Sequence, residues 1–299
     1  MKILLFGSSG QIGAYLQKSL AGMGEIKACS RNECDFADLN QIEKTIIKYK
    51  PNIIVNAAAY TNVDKAESEK QKVKAINIDA VEIIAKAAKN LGALLIDYSS
   101  DYIFDGTKNA PYVENDKANP MSTYGLAKFQ GEEKIRKSGC DHLIFRTSWI
   151  YSPNGRNFVN TIINLAREKD KLSIVDDQVG APTSAEFVAE VTAHCIRRGV
   201  NSNNWGTYHL TAGNSVSWYE FAKYILNYLK SRGFTFRLDI DNIVPVSSED
   251  YKSAAVRPKN SILSTELIKK TFELQIPSWE TQVEQVLSKI KLKEMDYTS

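Results

Sequence analysis

Closely spaced glycines near the N-terminus constrain this chain more than any other feature. The segment FGSSGQIG places Gly7, Gly10 and Gly13 in a G-x-x-G-x-x-G pattern, where an apolar run at 3–6 gives way to residues of helical period. A strand that passes into a helix through such a loop is the opening turn of a dinucleotide-binding βαβ unit. Glycine permits the tight turn, lets backbone N–H groups approach a pyrophosphate and lets the helix pack close to the sheet, while the helix N-terminus attracts negative charge. Gln11 and Ile12 then lie against the nucleotide. A glycine-rich turn with no ligand is the plainer alternative, and the strand before it and helix after it weigh against that.

The alternation continues. Strand-length apolar runs recur at 26–29, 53–55, 94–98 and 143–145, and the segments between them have helical period. Ile12, Leu16, Leu20 and Met23 share one helical face, and Ala80, Ile83, Ile84 and Ala87 share another, so both helices need a sheet to cover. Strands that read as continuous apolar runs suit a parallel sheet buried on both sides and joined by right-handed crossovers. The expected fold is α/β: a doubly wound parallel sheet of Rossmann type over residues 1–150, followed at 151–299 by a smaller, mainly substrate-binding domain from which later segments can return to the first. In the second part, Ser217 and Glu220 form an S-x-x-E capping box before an apolar face of Trp218, Phe221, Ile225 and Leu229, and more helix follows Pro277. The cleft between the domains is the natural ligand site.

Composition removes several classes of function. The 299 residues carry 38 basic and 35 acidic side chains scattered through the sequence, whereas nucleic-acid binding favours clustered basic residues. No stretch approaches the roughly 20 apolar residues that span a bilayer, and the N-terminus enters a strand without a leader, so a cytoplasmic location and no membrane partner are expected. Cys29, Cys34, Cys140 and Cys195 show no CxxC spacing and read as reduced thiols. His142, His194 and His209 are far apart in sequence, so no metal site is expected from them.

At the end of the second strand, where an NAD site usually carries an acid for the ribose 2′-OH, the chain reads Ser30-Arg31. A hydroxyl and a guanidinium can bind a 2′-phosphate that an acid would repel, which favours NADPH, with NADH as a second option. A solvated surface arginine is the alternative. Asp35 and Phe36 are placed to meet the adenine, or else form a turn acid beside a core aromatic. Downstream, STYGLAKFQGEE spaces Tyr124 and Lys128 at i, i+4, which puts both on one helical face. A nearby ammonium lowers a phenol's pKa toward the working range, so Lys128 is expected to tune Tyr124 as an acid-base group. A solvated helix face is the ordinary source of such a pair. Ser100, in YSSDYIFDG, leaves a strand at its C-terminal end, where its hydroxyl can reach a substrate oxygen.

Together Gly7, Gly10, Gly13, Ser100, Tyr124 and Lys128 make the chain resemble the extended short-chain dehydrogenase/reductase family over nearly its whole length. NAAAYTNVDKAESE at 56–69, YSSDYIFDG, FRTSWIY at 145–151, DQVGAPT at 177–183 and RPKNS at 257–261 resemble the branch that reduces dTDP-linked 4-keto deoxysugars. The resemblance implies reduction of dTDP-4-dehydro-β-L-rhamnose by NADPH, with Tyr124 as proton donor, Lys128 also holding the nicotinamide ribose and Ser100 polarising the carbonyl. It implies cofactor contacts from Ala59, Tyr60 and Thr61, and a dTDP-sugar bordered by Asp101, Tyr102, Trp149 and Val63. Many relatives have threonine at the position of Ser100, which keeps the hydroxyl. Some use Mg²⁺ held by glutamates at a subunit interface; here Tyr15 stands where an acid would help, so a homodimer remains an option but a metal-bridged one is disfavoured. Rival readings are a sugar-nucleotide epimerase or dehydratase with retained NAD, and a non-catalytic subunit like the regulatory subunit of methionine adenosyltransferase. A dehydratase typically has Asp-Glu after the serine or threonine, whereas Asp101-Tyr102 follows Ser100, and intact Tyr124 and Lys128 argue against a non-catalytic subunit.

Overall fold

A computed structural model describes residues 1–290. Its first part runs β1 (Lys2–Phe6), α1 (Gln11–Ser19), β2 (Glu25–Cys29), α2 (Leu39–Tyr49), β3 (Ile53–Asn56), α3 (Ala80–Leu91), β4 (Leu94–Ser100), α4 (Thr123–Ser138) and β5 (His142–Thr147). Then come α5 (Phe158–Glu168), α6 (Ala185–Arg198), β6 (Gly206–His209), α7 (Trp218–Ser231), α8 (Glu266–Phe272) and α9 (Trp279–Leu287). The long strands form one parallel sheet in the order β6-β5-β4-β3-β1-β2. Its order reverses between β1 and β3, which opens a crevice at the strands' C-terminal ends.

Both faces of the sheet are covered, as the continuous apolar strands require. Leu16 and Leu20 join Val188, Val191 and Cys195 of α6 and Phe272 of α8 on one side. Ile42, Ile46, Ile84 and Ile135 of α2, α3 and α4 lie on the other. Thus α6, β6 and α8, all beyond residue 150, pack with the sheet. The other late elements build their own core, with Val159 and Ile163 of α5, Phe221, Ile225 and Leu229 of α7, and Val283 and Leu287 of α9. A short parallel pair, Leu172–Val175 with Ile243–Val246, flanks it. The first helix is shorter than its apolar face suggested: α1 ends at Ser19, with Leu20 as its C-cap, and Met23 reaches the same core from the following turn. Of the capping box, the Ser217 half forms, its hydroxyl accepting the Glu220 N–H at 3.1 Å, while the Glu220 carboxylate lies 3.6 Å from Lys223.

Two local devices shape the crevice. A π-helical turn at Ala75–Asp79 leads into α3 and aims the buried Asn77 at the loop after β3, where its amide pairs with both the N–H and the carbonyl of Tyr60 at 2.8 and 3.0 Å. Such turns are frequent at functional sites. Gly13 is the point where α1 meets the loop, for a Cβ there would stand 2.0 Å from the Gly7 carbonyl oxygen. Because that neighbour is backbone, Gly13→Ala is expected to destabilise the protein by about 1–3 kcal/mol or more, read as a lower urea midpoint with an unchanged slope.

Candidate active site

Adjoining cavities run along the C-terminal ends of β1, β3, β4 and β5. One, of about 290 Å³, is lined by Gly7, Arg31, Asp35 and Phe36 among others. Another, of about 520 Å³, is lined by Gln11, Ile12, Thr61, Val63, Ser100, Asp101, Tyr102, Tyr124, Lys128 and Trp149. Gly10, Ala57, Ala58 and Ala59 line both, so the two form one groove. α1 begins at its edge with Gly10 as N-cap and no capping side chain, which leaves first-turn N–H groups for a ligand.

Three expected residues do not line this groove. Gly13 lies behind Gly7 as packing. Tyr60 is held through its backbone by Asn77, and its hydroxyl donates to Glu69 at 3.1 Å. Ser30 donates its N–H to the Glu33 carboxylate at 2.7 Å, and this bond holds the Glu33 pKa below the usual range. The exit of β2 therefore does carry an acid, tied back onto Ser30, with Arg31 left as the cation on the groove.

At the other end, Ser100 closes β4. Its hydroxyl donates to Asp101 Oδ1 at 2.9 Å and accepts the Tyr102 N–H at 3.1 Å. Tyr124 is in the first turn of α4, its ring edge-on to Tyr102 with centroids 6.1 Å apart. Lys128, one turn on, is 5% exposed, and its ammonium lies 3.9 Å from Asp97 Oδ2. Asn56 donates to the other oxygen of Asp97 at 2.5 Å. Burial lifts the Asp97 pKa, and Lys128 and Asn56 only partly offset it.

The Tyr124 phenol is shifted upward, not toward the working range. Burial pushes the phenol up to about 12, a hydrogen bond with Ser100 opposes the rise, and the charges of Asp101 and Asp97 add to it. The ammonium faces Asp97. Asp101 is likewise lifted, to about 7, by burial against hydrogen bonds that include one from Ser100; its Oδ2 has no hydrogen-bond partner. Trp149 holds a left-handed backbone, φ 47°, an outlier for so bulky a residue that costs on the order of 1–3 kcal/mol and persists only where its surroundings fix it.

Sequence reasoning missed several residues. Asn56 and Asp97 sit on the strands themselves, Asn56 as the first residue of NAAAYTNVDKAESE and Asp97 within an apolar run. Arg156, on the polar loop before α5, and Trp218 both line the larger cavity; Trp218 packs on the apolar face of α7 as expected and, as the first helical residue, reaches the groove as well. Arg257 of RPKNS grips Asp64 with both terminal nitrogens, at 2.6 and 3.1 Å. Among the described residues no three His, Cys, Asp or Glu gather as metal ligands.

The model of the RmlD substrate binding domain family matches residues 1–292. The dTDP-4-dehydrorhamnose reductase of Salmonella typhimurium is 43% identical over 97% of this chain and 98% of its own. Among solved structures, the dTDP-4-dehydrorhamnose reductase of Bacillus anthracis in complex with NADP superposes with a TM-score of 0.88 at 33% identity, covering 97% of this chain and 99% of that one. Its counterpart from Clostridium acetobutylicum gives 0.89 at 34% identity, over 96% and 99%. The chain belongs to the RmlD substrate binding domain family and aligns along nearly its whole length with dTDP-4-dehydrorhamnose reductases.

Proposed function

We propose that this protein reduces the 4-keto group of dTDP-4-dehydro-β-L-rhamnose to give dTDP-β-L-rhamnose with NADPH, the last step of dTDP-rhamnose formation, in the cytoplasm. One observation carries the reading: Ser100, Tyr124 and Lys128 line one end of a groove whose other end holds the glycine loop and Arg31, in a chain related over 97% of its length to a reductase of this sugar nucleotide.

The donor set suits a 2′-phosphorylated dinucleotide. Arg31 meets the phosphate, the open first turn of α1 the pyrophosphate, and Phe36 the adenine. NADPH, when bound, supplies the hydride that reaches the sugar carbonyl carbon. Tyr124, with its pKa raised to about 12, stays protonated throughout the neutral range and is an acid held in reserve. An alkoxide forming on the sugar oxygen is a stronger base than phenolate, so the phenolic proton passes to it downhill. Ser100 turns its hydroxyl from Asp101 to the same oxygen and fixes its place. Lys128, held under the groove by Asp97, hydrogen-bonds the nicotinamide ribose and balances the phenolate left behind. Val63, Asp101, Tyr102 and Trp149 border the sugar nucleotide.

Purified protein given NADPH and dTDP-4-dehydrorhamnose is expected to consume them one for one, followed by loss of NADPH absorbance; no consumption rejects the reductase reading. Tyr124→Phe should bind NADPH normally yet lose on the order of 10²–10⁴ in kcat, and unchanged turnover would remove Tyr124 from its role. Arg31→Ala should raise the KM for NADPH about 10–100-fold, the loss of a charged hydrogen bond, and leave that for NADH almost unchanged. Asp101 adds a pH signature. A carboxyl whose folded pKa is raised, from 3.8 to about 7, binds protons more tightly folded than unfolded, so its contribution is full below pH 3.8 and is lost as pH rises through 7. Melting temperatures across that window should therefore fall less steeply in Asp101→Asn than in the wild type.

A further inference from the structure

The first turn of α4 is held differently from the rest of the helix. Lys128, one turn on, faces Asp97 of β4, but Tyr124 lies ahead of that contact, where backbone N–H groups have no acceptor within the helix. Ser122 supplies one, its hydroxyl accepting the Gly125 N–H at 3.1 Å. Thr123 turns to a residue 56 positions earlier in the chain: Glu67 accepts the Thr123 N–H on Oε1 at 2.8 Å and the Thr123 hydroxyl on Oε2 at 2.7 Å. Both oxygens of this carboxylate are thus committed to the residue next to the phenol. Hydrogen bonds to an ionised acceptor are roughly twice as strong as neutral ones, and an anion at this place also suits the positive end of the helix dipole.

Glu67 has a firm base. It follows the one-turn helix Val63–Ala66, whose N-cap Asn62 accepts the Lys65 N–H at 3.1 Å. Ala66 is fully buried with Val73, Ile78 and Ala127, and the rings of Tyr60 and Tyr124 pack on that cluster. Asp64 ties the same helix to the C-terminal wall, through Arg257 and through the Ala255 N–H at 3.2 Å. The first turn of α4 also meets a stop, for a Cβ on Gly125 would stand 2.1 Å from the Tyr102 carbonyl oxygen. A tether at Glu67 and a stop at Tyr102 therefore fix this turn between the segment after β3 and the segment after β4.

We infer that Glu67 is a positioning residue for Tyr124: by holding Thr123 it keeps the first turn of α4 in place and presents the phenol to the sugar oxygen. Tyr124 and Ser100 come from different elements, and a proton donor works only within hydrogen-bond reach of its acceptor. A displacement of about 1 Å costs on the order of 10²-fold in rate. Val63 lines the groove from the same one-turn helix, so the wall beside the substrate and the proton donor share one mount. The inference rests on the reading of Tyr124 as proton donor.

The test follows NADPH consumption with dTDP-4-dehydrorhamnose. Glu67→Ala should lower kcat about 10–100-fold, the scale of a misplaced reacting group, and leave the KM for NADPH within about 2-fold of wild type, a split that general loosening of the fold would not give. Glu67→Gln, whose amide oxygen still accepts the Thr123 N–H, should recover much of the loss. If Glu67→Ala does not fold, Thr123→Ala, which removes the hydroxyl bond alone, should show a smaller fall in the same quantity. Because Glu67 acts through Tyr124, its loss must cease to matter once the phenol is gone: with enzyme in excess, Glu67→Ala/Tyr124→Phe should turn over no more slowly than Tyr124→Phe. A wild-type kcat in Glu67→Ala and in Thr123→Ala, or a further 10–100-fold loss in the double variant, would overturn the assignment. Turnover in Tyr124→Phe is judged separately: if it is unchanged the proton-donor reading falls, whereas a slow Tyr124→Phe with an additive Glu67→Ala removes Glu67 alone.

Discussion

Charges buried between α4 and the sheet set the position of everything that acts at the Tyr124 end of the groove. Glu132 is fully buried and receives two bonds from Arg146 of β5, Nε to Oε1 at 3.0 Å and Nη2 to Oε2 at 2.8 Å. Burial alone would raise the Glu132 pKa, but the hydrogen bond and charge of Arg146 outweigh it and the net shift is downward. One turn earlier, Lys128 faces Asp97 of β4. Buried ion pairs add little net stability against apolar substitutes, yet removing one partner costs about 3–5 kcal/mol because the other is left uncompensated. The seam therefore specifies register. A helix turns about 100° per residue, so a slip by one position would carry Lys128 and Glu132 off their partners and swing Tyr124 out of the groove. Arg146 extends the same network to the Glu114 carbonyl at 3.0 Å and the face of Phe104 at 5.4 Å, tying the loop that carries Tyr102 to the strand beneath it.

The second constraint is that the groove has walls from distant parts of the chain, stitched by backbone and side-chain bonds. Gln11, in the glycine-loop helix, accepts from Ser152 and Asn157 at 2.9 Å each, which fixes the polar loop carrying Arg156. Val179 of DQVGAPT exchanges backbone bonds with RPKNS, its N–H to the Lys259 carbonyl and its carbonyl to the Ser261 N–H, both at 2.8 Å. Arg257 of RPKNS then crosses to Asp64 beside Val63. Segments scattered over some two hundred positions in sequence thus converge on one cleft wall, which is a physical reason for them to be recognisable together: each supplies the other's hydrogen-bond partners.

Much of the fold was legible because the sheet is buried on both sides. Runs such as 3–6 and 94–98 have no polar face to confuse their reading, and the glycine loop located the ligand end of the sheet. The least legible element was α4. Its sheet-facing side carries Lys128, Gly131 and Glu132 with little apolar surface, so hydrophobic period does not mark it, and only the Tyr124–Lys128 spacing did. The same inversion bears on the electrostatics. Spacing says that two residues share a helical face; it does not say where a flexible ammonium goes when a buried carboxylate lies on the adjacent strand. Asp97 reads as one polar residue within an apolar run, and its pull on Lys128 appears only once β4 and α4 are packed together. Trp218 is half legible: it packs on the core with Phe221 and Ile225 as its spacing says, and only its place at the entry of α7 lets it line the groove as well.

Several costs in this structure fall along the groove. Asp101 is buried with one oxygen unpaired, Trp149 holds a left-handed backbone, and Trp149 and Trp218 stack without offset. Elsewhere the local choices agree: Asp38, Ser122 and Ser217 cap α2, α4 and α7, and Gly92 and Gly139 end α3 and α4 in the left-handed region that suits them. Such local agreement leaves stability for the costs along the groove. The seam under α4 and the stitched walls hold the groove from both sides. A fixed platform under Tyr124 and Lys128 thus faces a wall that holds the strained Trp149 backbone.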